Sequence, residues 1–213
     1  MKYFILLFLI STSLLFHPQK DKQIIIVIDA GHGGNDSGAI GKHFNTKEKD
    51  INLSVAKYLY KYLKQNSKFH PILTRNKDVF IPLKKRAEIS NYFKPDLFIS
   101  LHCNQPGTNN NFHSNGSEVY YLKDSKIKDS INQRKSVLIA LNILEDLQSS
   151  LNFNKRKVLS SNFSVLRNTN KISPSILVEI AYLSNYSDEI YIKEKNNQEA
   201  IALSIYKTIT HQF

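Results

Sequence analysis

Residues 24–38, IIIVIDAGHGGNDSG, decide how the rest of the chain is interpreted. Five apolar residues in succession, residues 24–28, predict a β-strand that is buried on both faces of a sheet. The strand gives way to a glycine-rich loop, and His32 lies in that loop. Because open α/β sheets bind ligands at the carboxyl ends of their strands, His32 is a candidate site residue. A loop imidazole is equally consistent with a solvated or hydrogen-bonded bystander.

The composition is that of one ordinary globular domain. Of the 213 residues, 41% are hydrophobic and 22% are charged, which excludes a disordered or fibrous chain. The 29 Lys and Arg exceed the 18 Asp and Glu, giving a net charge of +11, and their scattered positions favour an anionic partner. Zinc-finger spacing, RNP-type aromatic motifs and long basic helices are missing from the sequence. We therefore expect no nucleic acid, and an anionic polymer such as cell wall fits the charge.

The N-terminal segment, residues 1–20, has the pattern of a secretory signal. One Lys precedes an apolar run over residues 3–10, which resumes at residues 14–16. This is the length of a signal's apolar region and too short for a comfortable membrane span. A small-x-small cleavage site is missing, so a retained N-terminal anchor is the alternative. We expect an exported protein that is secreted, periplasmic or cell-wall-associated, with its catalytic domain over residues 21–213.

The rest of the chain alternates predicted strands and helices. Further strands are predicted over residues 69–74, 97–101, 117–122, 163–166 and 175–180, with Pro71 marking an edge position. Helices are predicted over residues 51–63, 82–93, 137–151, 187–193 and 197–210. Residues 105–116 read as an exposed loop, and residues 152–162 as a basic loop that is solvated or, alternatively, contacts an anionic substrate. The pattern predicts a three-layer α/β sandwich, a mixed sheet of about six strands with helices on both faces.

Three more residues with metal-ligand or acid–base side chains fall at equivalent edges of the predicted elements. Glu48 lies at or just before the first turn of a helix, and His102 ends the strand over residues 97–101. Catalytic zinc takes three ligands from His and Glu or Asp and keeps a fourth position for water. His32, Glu48 and His102 supply that set, for one Zn²⁺ per chain. The alternative for Glu48 is an acidic residue that complements the helix dipole.

Glu179 is the fourth candidate, because it is embedded in the apolar run SILVEIAYL. A buried carboxylate is costly unless it is paired, bound to a metal or needed for chemistry. A buried ion pair is the alternative. Cys103, the only cysteine, follows His102, but neighbouring strand residues point to opposite faces, so we interpret it as a packed thiol. A single thiol forms no internal disulfide, so the hydrophobic core or a bound metal must stabilise the fold.

Several motifs in a fixed order resemble one enzyme family. They are VIDAGHGG, TKEKDINLSVAKYL, LTR, PDLFISLHCN, SEVYYL, SVLR and SILVEIAYLSN, and they run from about residue 24 to the C-terminus. In this combination the chain resembles the zinc-dependent N-acetylmuramoyl-L-alanine amidases of the Amidase_3 type. Members usually carry Pro where this chain has Ala30, and Gly-Phe where it has Ala181 and Tyr182. These departures concern loop shape and not the metal set.

The resemblance implies roles for five residues. His32, Glu48 and His102 match the zinc ligands, Glu179 matches the catalytic glutamate, and Arg86 matches a basic position that implies a substrate contact. The implied reaction is hydrolysis of the amide between the lactyl group of N-acetylmuramic acid and L-alanine in peptidoglycan. Two rival functions remain: a zinc peptidase that cuts within the stem peptide, and a non-catalytic wall-binding module, which would not need an open metal position.

The resemblance also has an implication for how the activity is regulated. Some amidases of this type insert a long helical segment after the strand equivalent to residues 117–122, and that segment blocks the site until a partner removes it. Here only residues 123–135 precede the next predicted helix, too few for a blocking helix with its linkers. We expect a monomer that needs no activator protein.

Overall fold

The computed structural model describes residues 22–105, 114–123, 130–151 and 154–213. The predicted signal or anchor over residues 1–20 lies outside this part of the chain, as does most of the loop predicted over residues 105–116. Within the described residues, no helix combines the length and the apolar character needed to cross a membrane.

The described residues form one mixed sheet of six strands, as the sequence predicted. The strands are β1 (Ile24–Ala30), β2 (Phe69–Leu73), β3 (Leu97–Asn104), β4 (Ser117–Tyr121), β5 (Lys155–Ser160) and β6 (Ser175–Tyr182). Their order is β2-β1-β3-β6-β4-β5. The strands β2, β1, β3 and β6 are parallel, β4 is antiparallel to β6, and β5 is parallel to β4. Pro71 lies on the edge strand β2, where an absent N–H is tolerated.

Helices cover both faces of the sheet, which confirms the three layers. They are α1 (Glu48–Gln65), α2 (Leu83–Phe93), α3 (Ile131–Leu151), α4 (Ser164–Thr169), α5 (Tyr186–Ile192) and α6 (Lys195–Gln212). The main core packs the sheet against α1, α3 and α6, and a smaller core lies on the opposite face, with residues from α4. Ile26 and Ile28 belong to the first core and Val27 to the second, so β1 is buried on both faces as predicted.

Helix α1 brings one candidate ligand to the sheet edge. Its residues Ile51, Val55, Leu59 and Leu63 recur at four-residue steps and are buried against the sheet. Each such side chain contributes roughly 1.5–3 kcal/mol when it is fully buried. Packing of this face fixes the rotation of the helix, and the first residue of the helix, Glu48, is therefore held at the edge of the core.

Two predicted elements were wrong. Residues 155–160, predicted as part of a loop, form β5, because the backbone pairs with β4 at the sheet edge although the sequence is polar. Residues 163–166, predicted as a strand, begin α4, whose consecutive residues Val165 and Leu166 are both buried in the smaller core. A short apolar run does not distinguish helix from strand by itself, and tertiary packing decided here.

The topology creates a crevice between β1 and β3. After β1 the chain crosses to β2 on one side, and then returns to β3 on the other side of β1. Such a reversal leaves room above the carboxyl ends of the two strands, where open α/β sheets bind ligands. His32 follows β1 and His102 lies near the end of β3, so both histidines lie at this crevice.

Candidate metal centre and active site

The three predicted ligands meet at the crevice. Glu48 Oε1 lies 3.1 Å from His32 Nε2 and 2.9 Å from His102 Nδ1. One ligand atom from each of these residues lies within 4.8 Å of the other two. Two imidazole nitrogens and a carboxylate oxygen are the donor set of many catalytic zinc sites, and the fourth position of such a site is left open.

His32 is held in an unusual backbone conformation. Its φ of 60° lies in the left-handed region, which is uncommon for a residue with a side chain. Its Nδ1 is 2.8 Å from Asp36 Oδ2, and a carboxylate on the second nitrogen fixes the tautomer and the ring orientation of a metal ligand. The preceding Gly31 leaves space for a neighbour, because a Cβ there would lie 2.3 Å from the ring of His102.

Glu48 is buried and receives donors on both of its oxygens. Oε2 accepts the backbone N–H of Ala39 at 2.8 Å, and Oε1 accepts that of Cys103 at 3.1 Å. Burial by itself raises the pKa of Glu48, but the hydrogen bonds from His102 and His32 lower it by more. The carboxyl group is therefore ionised, which is the form that binds a metal.

The pKa values of the two histidines are raised, in the direction opposite to that of Glu48. Burial lowers the pKa of His32, but the hydrogen bond and charge of Glu48, together with Asp36, outweigh burial and raise it to about 9. The pKa of His102 is also raised, because Glu48 and Glu179 outweigh the effect of burial. Both imidazoles contact the same carboxylate. A divalent cation that binds there can replace the protons of the imidazoles. The donor set therefore fits Zn²⁺.

Glu179 lies beside the three ligands. It is the direct register partner of His102 on the neighbouring strand, and its Oε2 is buried without a hydrogen-bond partner among the described residues. Burial raises the pKa of Glu179 to about 7; His102 opposes this rise, and Glu48 and Glu118 add to it. No Lys or Arg in the described part of the chain pairs with Glu179, so the geometry does not favour the ion-pair alternative.

A cleft of about 380 Å³ opens over these four residues. The remaining lining comes from Ala39, Leu83, Cys103, Asn104, Gln105, Phe163, Ser164, Val165 and Leu177. A second cavity of about 260 Å³ shares His32, Leu83 and His102 with the cleft. The two cavities therefore meet at His32 and His102 of the candidate metal centre.

Arg86 lies beneath the site and is only 2% exposed. Its Nη1 donates to Asp29 Oδ1 at 3.0 Å and to the Ala30 carbonyl, and its Nη2 donates to the His32 carbonyl at 2.7 Å. Nε donates to the Ile81 carbonyl at 2.8 Å. These contacts tie the guanidinium to the loop that carries His32. The substrate contact implied for Arg86 stays a prediction.

Sequence reasoning missed residues that support the site. Asp36 orients His32, and a search for a carboxylate close to each candidate histidine would have found it. Arg75, the last residue of the LTR motif, donates to the carbonyls of Ala30 and Gly31, but the motif alone gave it no role. Glu118 accepts from Asn104 Nδ2 at 3.0 Å, and its position in β4 gave no indication of this contact.

Cys103 is a packed thiol, as predicted. It is buried, and its Sγ lies 3.7 Å from Asn52 Oδ1, on the side of α1. Burial raises the pKa of this thiol well above its usual value, which makes it a poor nucleophile at neutral pH. His43, His70 and His211 lie outside the ligand cluster found among the described residues.

Comparisons with known proteins identify the family of this chain. A family model described as N-acetylmuramoyl-L-alanine amidase matches residues 26–211. N-acetylmuramoyl-L-alanine amidase AmiC of Escherichia coli is 30% identical over 233 aligned positions, which cover 91% of this chain and 54% of AmiC. The chain therefore spans about half the length of AmiC.

Solved structures share the fold over nearly their whole length. The catalytic domain of CwlV, an N-acetylmuramoyl-L-alanine amidase from Bacillus (Paenibacillus) polymyxa var. colistinus, superimposes with a TM-score of 0.78 at 33% identity, covering 89% of this chain and 97% of that domain. The CwlD amidase of Clostridioides difficile, solved in complex with the GerS lipoprotein, gives 0.77 at 29% identity, covering 89% and 98%. The chain belongs to the N-acetylmuramoyl-L-alanine amidase family.

Proposed function

We propose that this chain is a zinc-dependent hydrolase that cuts the amide between N-acetylmuramic acid and L-alanine in peptidoglycan. The observation that carries the proposal is the convergence of His32, Glu48 and His102 beside Glu179, at the bottom of one cleft. His32, Glu48 and His102 would hold one Zn²⁺, and Glu179 is the catalytic residue. The net charge of +11 favours approach to an anionic wall.

Glu179 moves the proton in this mechanism. When bound, zinc supplies a Lewis acid that lowers the pKa of water and polarises a carbonyl group. Glu179 takes a proton from the attacking water and then delivers it to the leaving nitrogen of L-alanine, so it acts as general base and then as general acid. Burial favours the protonated form of Glu179 that donates to the leaving nitrogen, and the positive charge of a bound divalent cation would favour the carboxylate form that accepts the proton.

The apolar side of the cleft positions the substrate. Leu83 and Phe163 line it, and both side chains are exposed. Apolar walls with a few polar groups at the centre are typical of sites that bind one segment of a longer substrate. Leu177 and Val165, which belong to the smaller core, also line the cleft.

Product analysis separates this function from its rivals. Purified peptidoglycan is incubated with the chain, and the released fragments are identified by mass spectrometry. An amidase releases peptides that begin with L-alanine and leaves glycan strands without peptides. Fragments cut within the stem peptide would show a zinc peptidase, and binding to the wall without any released fragment would show a non-catalytic module.

The proposal includes export and independence from a partner. The N-terminal pattern over residues 1–20 supports export as a signal or an anchor. The short linker between β4 and α3, residues 122–130, supports independence from an activator, although CwlD was solved with the GerS lipoprotein. We also propose that the chain is a monomer. The purified chain should release peptides without any added protein. Strict dependence on a partner would show that the proposal of independence is wrong.

A further inference from the structure

Three aromatic rings form an exposed cluster beside the cleft. The centroid of the His43 ring lies 5.2 Å from that of Tyr186, and the centroid of Phe44 lies 5.7 Å from that of Tyr186. Phe44 is 38% exposed and Tyr186 is 54% exposed. We call His43, Phe44 and Tyr186 the aromatic platform. Grouped apolar side chains that remain exposed mark an interaction surface more often than isolated ones do.

A buried acid fixes the shape of this surface. The fully buried carboxylate of Glu189 accepts the backbone N–H groups of His43, Phe44 and Thr46 at 2.9, 3.0 and 3.2 Å. Only glycine fits at position 41, because a Cβ on Gly41 would lie 1.9 Å from Glu189 Oε1. A hydrogen bond to a charged group is stronger than a neutral one. The loop that carries His43 and Phe44 is therefore rigid, which lowers the entropy cost of binding a ligand.

The platform is continuous with the proposed active site. Its loop, residues 40–47, starts after Ala39, which lines the cleft. Ala39 and Glu48 exchange two hydrogen bonds: the Ala39 N–H donates to Glu48 Oε2, and the Glu48 N–H donates to the Ala39 carbonyl. A bridge between Ile40 and Lys47 closes the base of the loop, and Ile40 is exposed. The two residues that flank this loop, Ala39 and Glu48, both line the cleft.

We propose that the aromatic platform binds a pyranose ring of the glycan strand, next to the muramic acid residue whose amide is cut. This inference rests on the proposed function, because it assigns a place to the polymer that carries the scissile amide. A pyranose has one face of C–H groups with a rim of hydroxyl and acetamido groups. The negative faces of aromatic rings attract such C–H groups, and polar groups beside the rings hydrogen-bond the rim.

The charges around the rings favour a sugar over a lipid or an apolar peptide. The ammonium group of Lys193 lies 4.3 Å from the centroid of the Phe44 ring, and His43 adds a polar ring to the same cluster. The ammonium group of Lys193 also lies 3.6 Å from Glu194 Oε1, so an aliphatic partner would bury charged groups without adding hydrogen bonds to them, which is costly. A sugar covers the rings and keeps hydroxyl groups within reach of the polar ones.

The test measures binding without turnover. Glycan strands freed of peptide carry no amide for the enzyme to cut, so their affinity for the chain can be measured by isothermal titration. Tyr186→Ala and Phe44→Ala should each weaken binding by roughly fivefold or more, which corresponds to ~1 kcal/mol of stacking. Tyr186→Leu should weaken it similarly, because leucine keeps apolar area and loses the ring. Tyr92→Ala is the matched control, since Tyr92 is 81% exposed on α2 and should leave binding unchanged.

Thermal unfolding of each variant shows whether it is folded. If Phe44→Ala does not fold, the binding measured for Tyr186→Ala tests the proposal alone. Binding that is equal to the wild type in Tyr186→Ala would overturn the proposal. Full affinity in Tyr186→Leu would overturn stacking on a ring. Binding of a free stem peptide or of anionic vesicles that depends on Tyr186, with no binding of glycan strands, would show another occupant. If glycan strands bind the aromatic platform but the chain does not hydrolyse peptidoglycan, the proposed function is wrong and the binding proposal is still supported.

Discussion

Glu179 and His102 occupy paired positions on the parallel strands β6 and β3. Side chains at paired positions of neighbouring strands project from the same face of a sheet. The proposed acid–base residue is therefore held beside a proposed zinc ligand by backbone hydrogen bonds and not by a mobile loop. Sites on strands are more precise than sites on loops, and this register explains how one buried carboxylate reaches the metal centre.

Removal of His102 should remove the metal. The wild-type chain should hold close to one zinc per chain, because three suitable ligand atoms converge. His102→Ala leaves two ligands, and we expect its zinc content to fall close to zero when measured by elemental analysis after dialysis. His211→Ala is the control, because His211 is exposed and outside the cluster. Full zinc occupancy in His102→Ala would contradict the proposed ligand set.

The sequence predicted most of the sheet and the three candidate ligands that the structure brings together. His32 and His102 could be proposed because each follows a buried strand, and Glu179 because it interrupts an apolar run. Glu48 lies in a polar stretch at the start of a helix, which is a weaker signal. The two failures, at β5 and α4, involve short segments. Neither the polar sequence of β5 nor the four-residue run before Arg167 determines a structure without the neighbouring chain.

Loop geometry was beyond sequence reasoning. Arg86 donates to the His32 carbonyl in a loop where His32 adopts the left-handed conformation. A non-glycine residue with positive φ is uncommon, so no pattern rule would place it there. The contacts of Glu189 with the loop over residues 41–46 join segments about 145 positions apart, and spacing carries no information at that range.

Arg86 should matter for stability more than for substrate affinity. Arg86→Gln leaves Asp29 charged and buried, and loses donors to the carbonyls of Ala30 and His32. Breaking a buried pair in this way costs about 3 kcal/mol in the free energy of unfolding, to be measured by urea denaturation. Lys84→Gln, at an exposed position of the same helix, should change little. Unchanged stability with a raised KM would instead support the substrate contact implied for Arg86.

Glu189 should make stability depend on pH. Burial raises its pKa, but hydrogen bonds from the backbone of His43, Thr46 and Phe44 lower it by more. A carboxyl group with a folded pKa below its unfolded value stabilises the protein above the unfolded pKa, and this contribution is lost as pH falls through the folded pKa. Glu189→Gln should therefore be less stable at neutral pH, by about 1–3 kcal/mol, because its amide nitrogen cannot accept an N–H.

Urea denaturation from neutral to acidic pH checks this prediction. The difference in unfolding free energy between the wild type and Glu189→Gln should be largest at neutral pH and should shrink as Glu189 becomes protonated. Glu88→Gln is the control, because Glu88 is half exposed and pairs only with surface lysines among the described residues. A difference that stays constant over the whole pH range would show that the charge of Glu189 is not what holds the loop.

Chelation should abolish hydrolysis and added zinc should restore it. His32, Glu48 and His102 supply the only three-residue His, Cys, Asp or Glu cluster with ligand geometry among the described residues. The reaction that we propose needs the Lewis acid as well as Glu179. Peptide release from purified wall is followed before chelation, after it and after zinc is returned. Full activity in a preparation verified to be free of metal would contradict the metal requirement.

The most direct test is the turnover of Glu179→Gln in a preparation with full zinc occupancy. Glutamine keeps the size of the side chain and cannot accept a proton, so kcat should fall by roughly 100-fold or more while zinc content and the unfolding temperature stay at wild-type values. Loss of zinc along with activity would make Glu179 a ligand. Wild-type turnover with lowered thermal stability would make it a structural residue, and either result would contradict its role as the proton carrier.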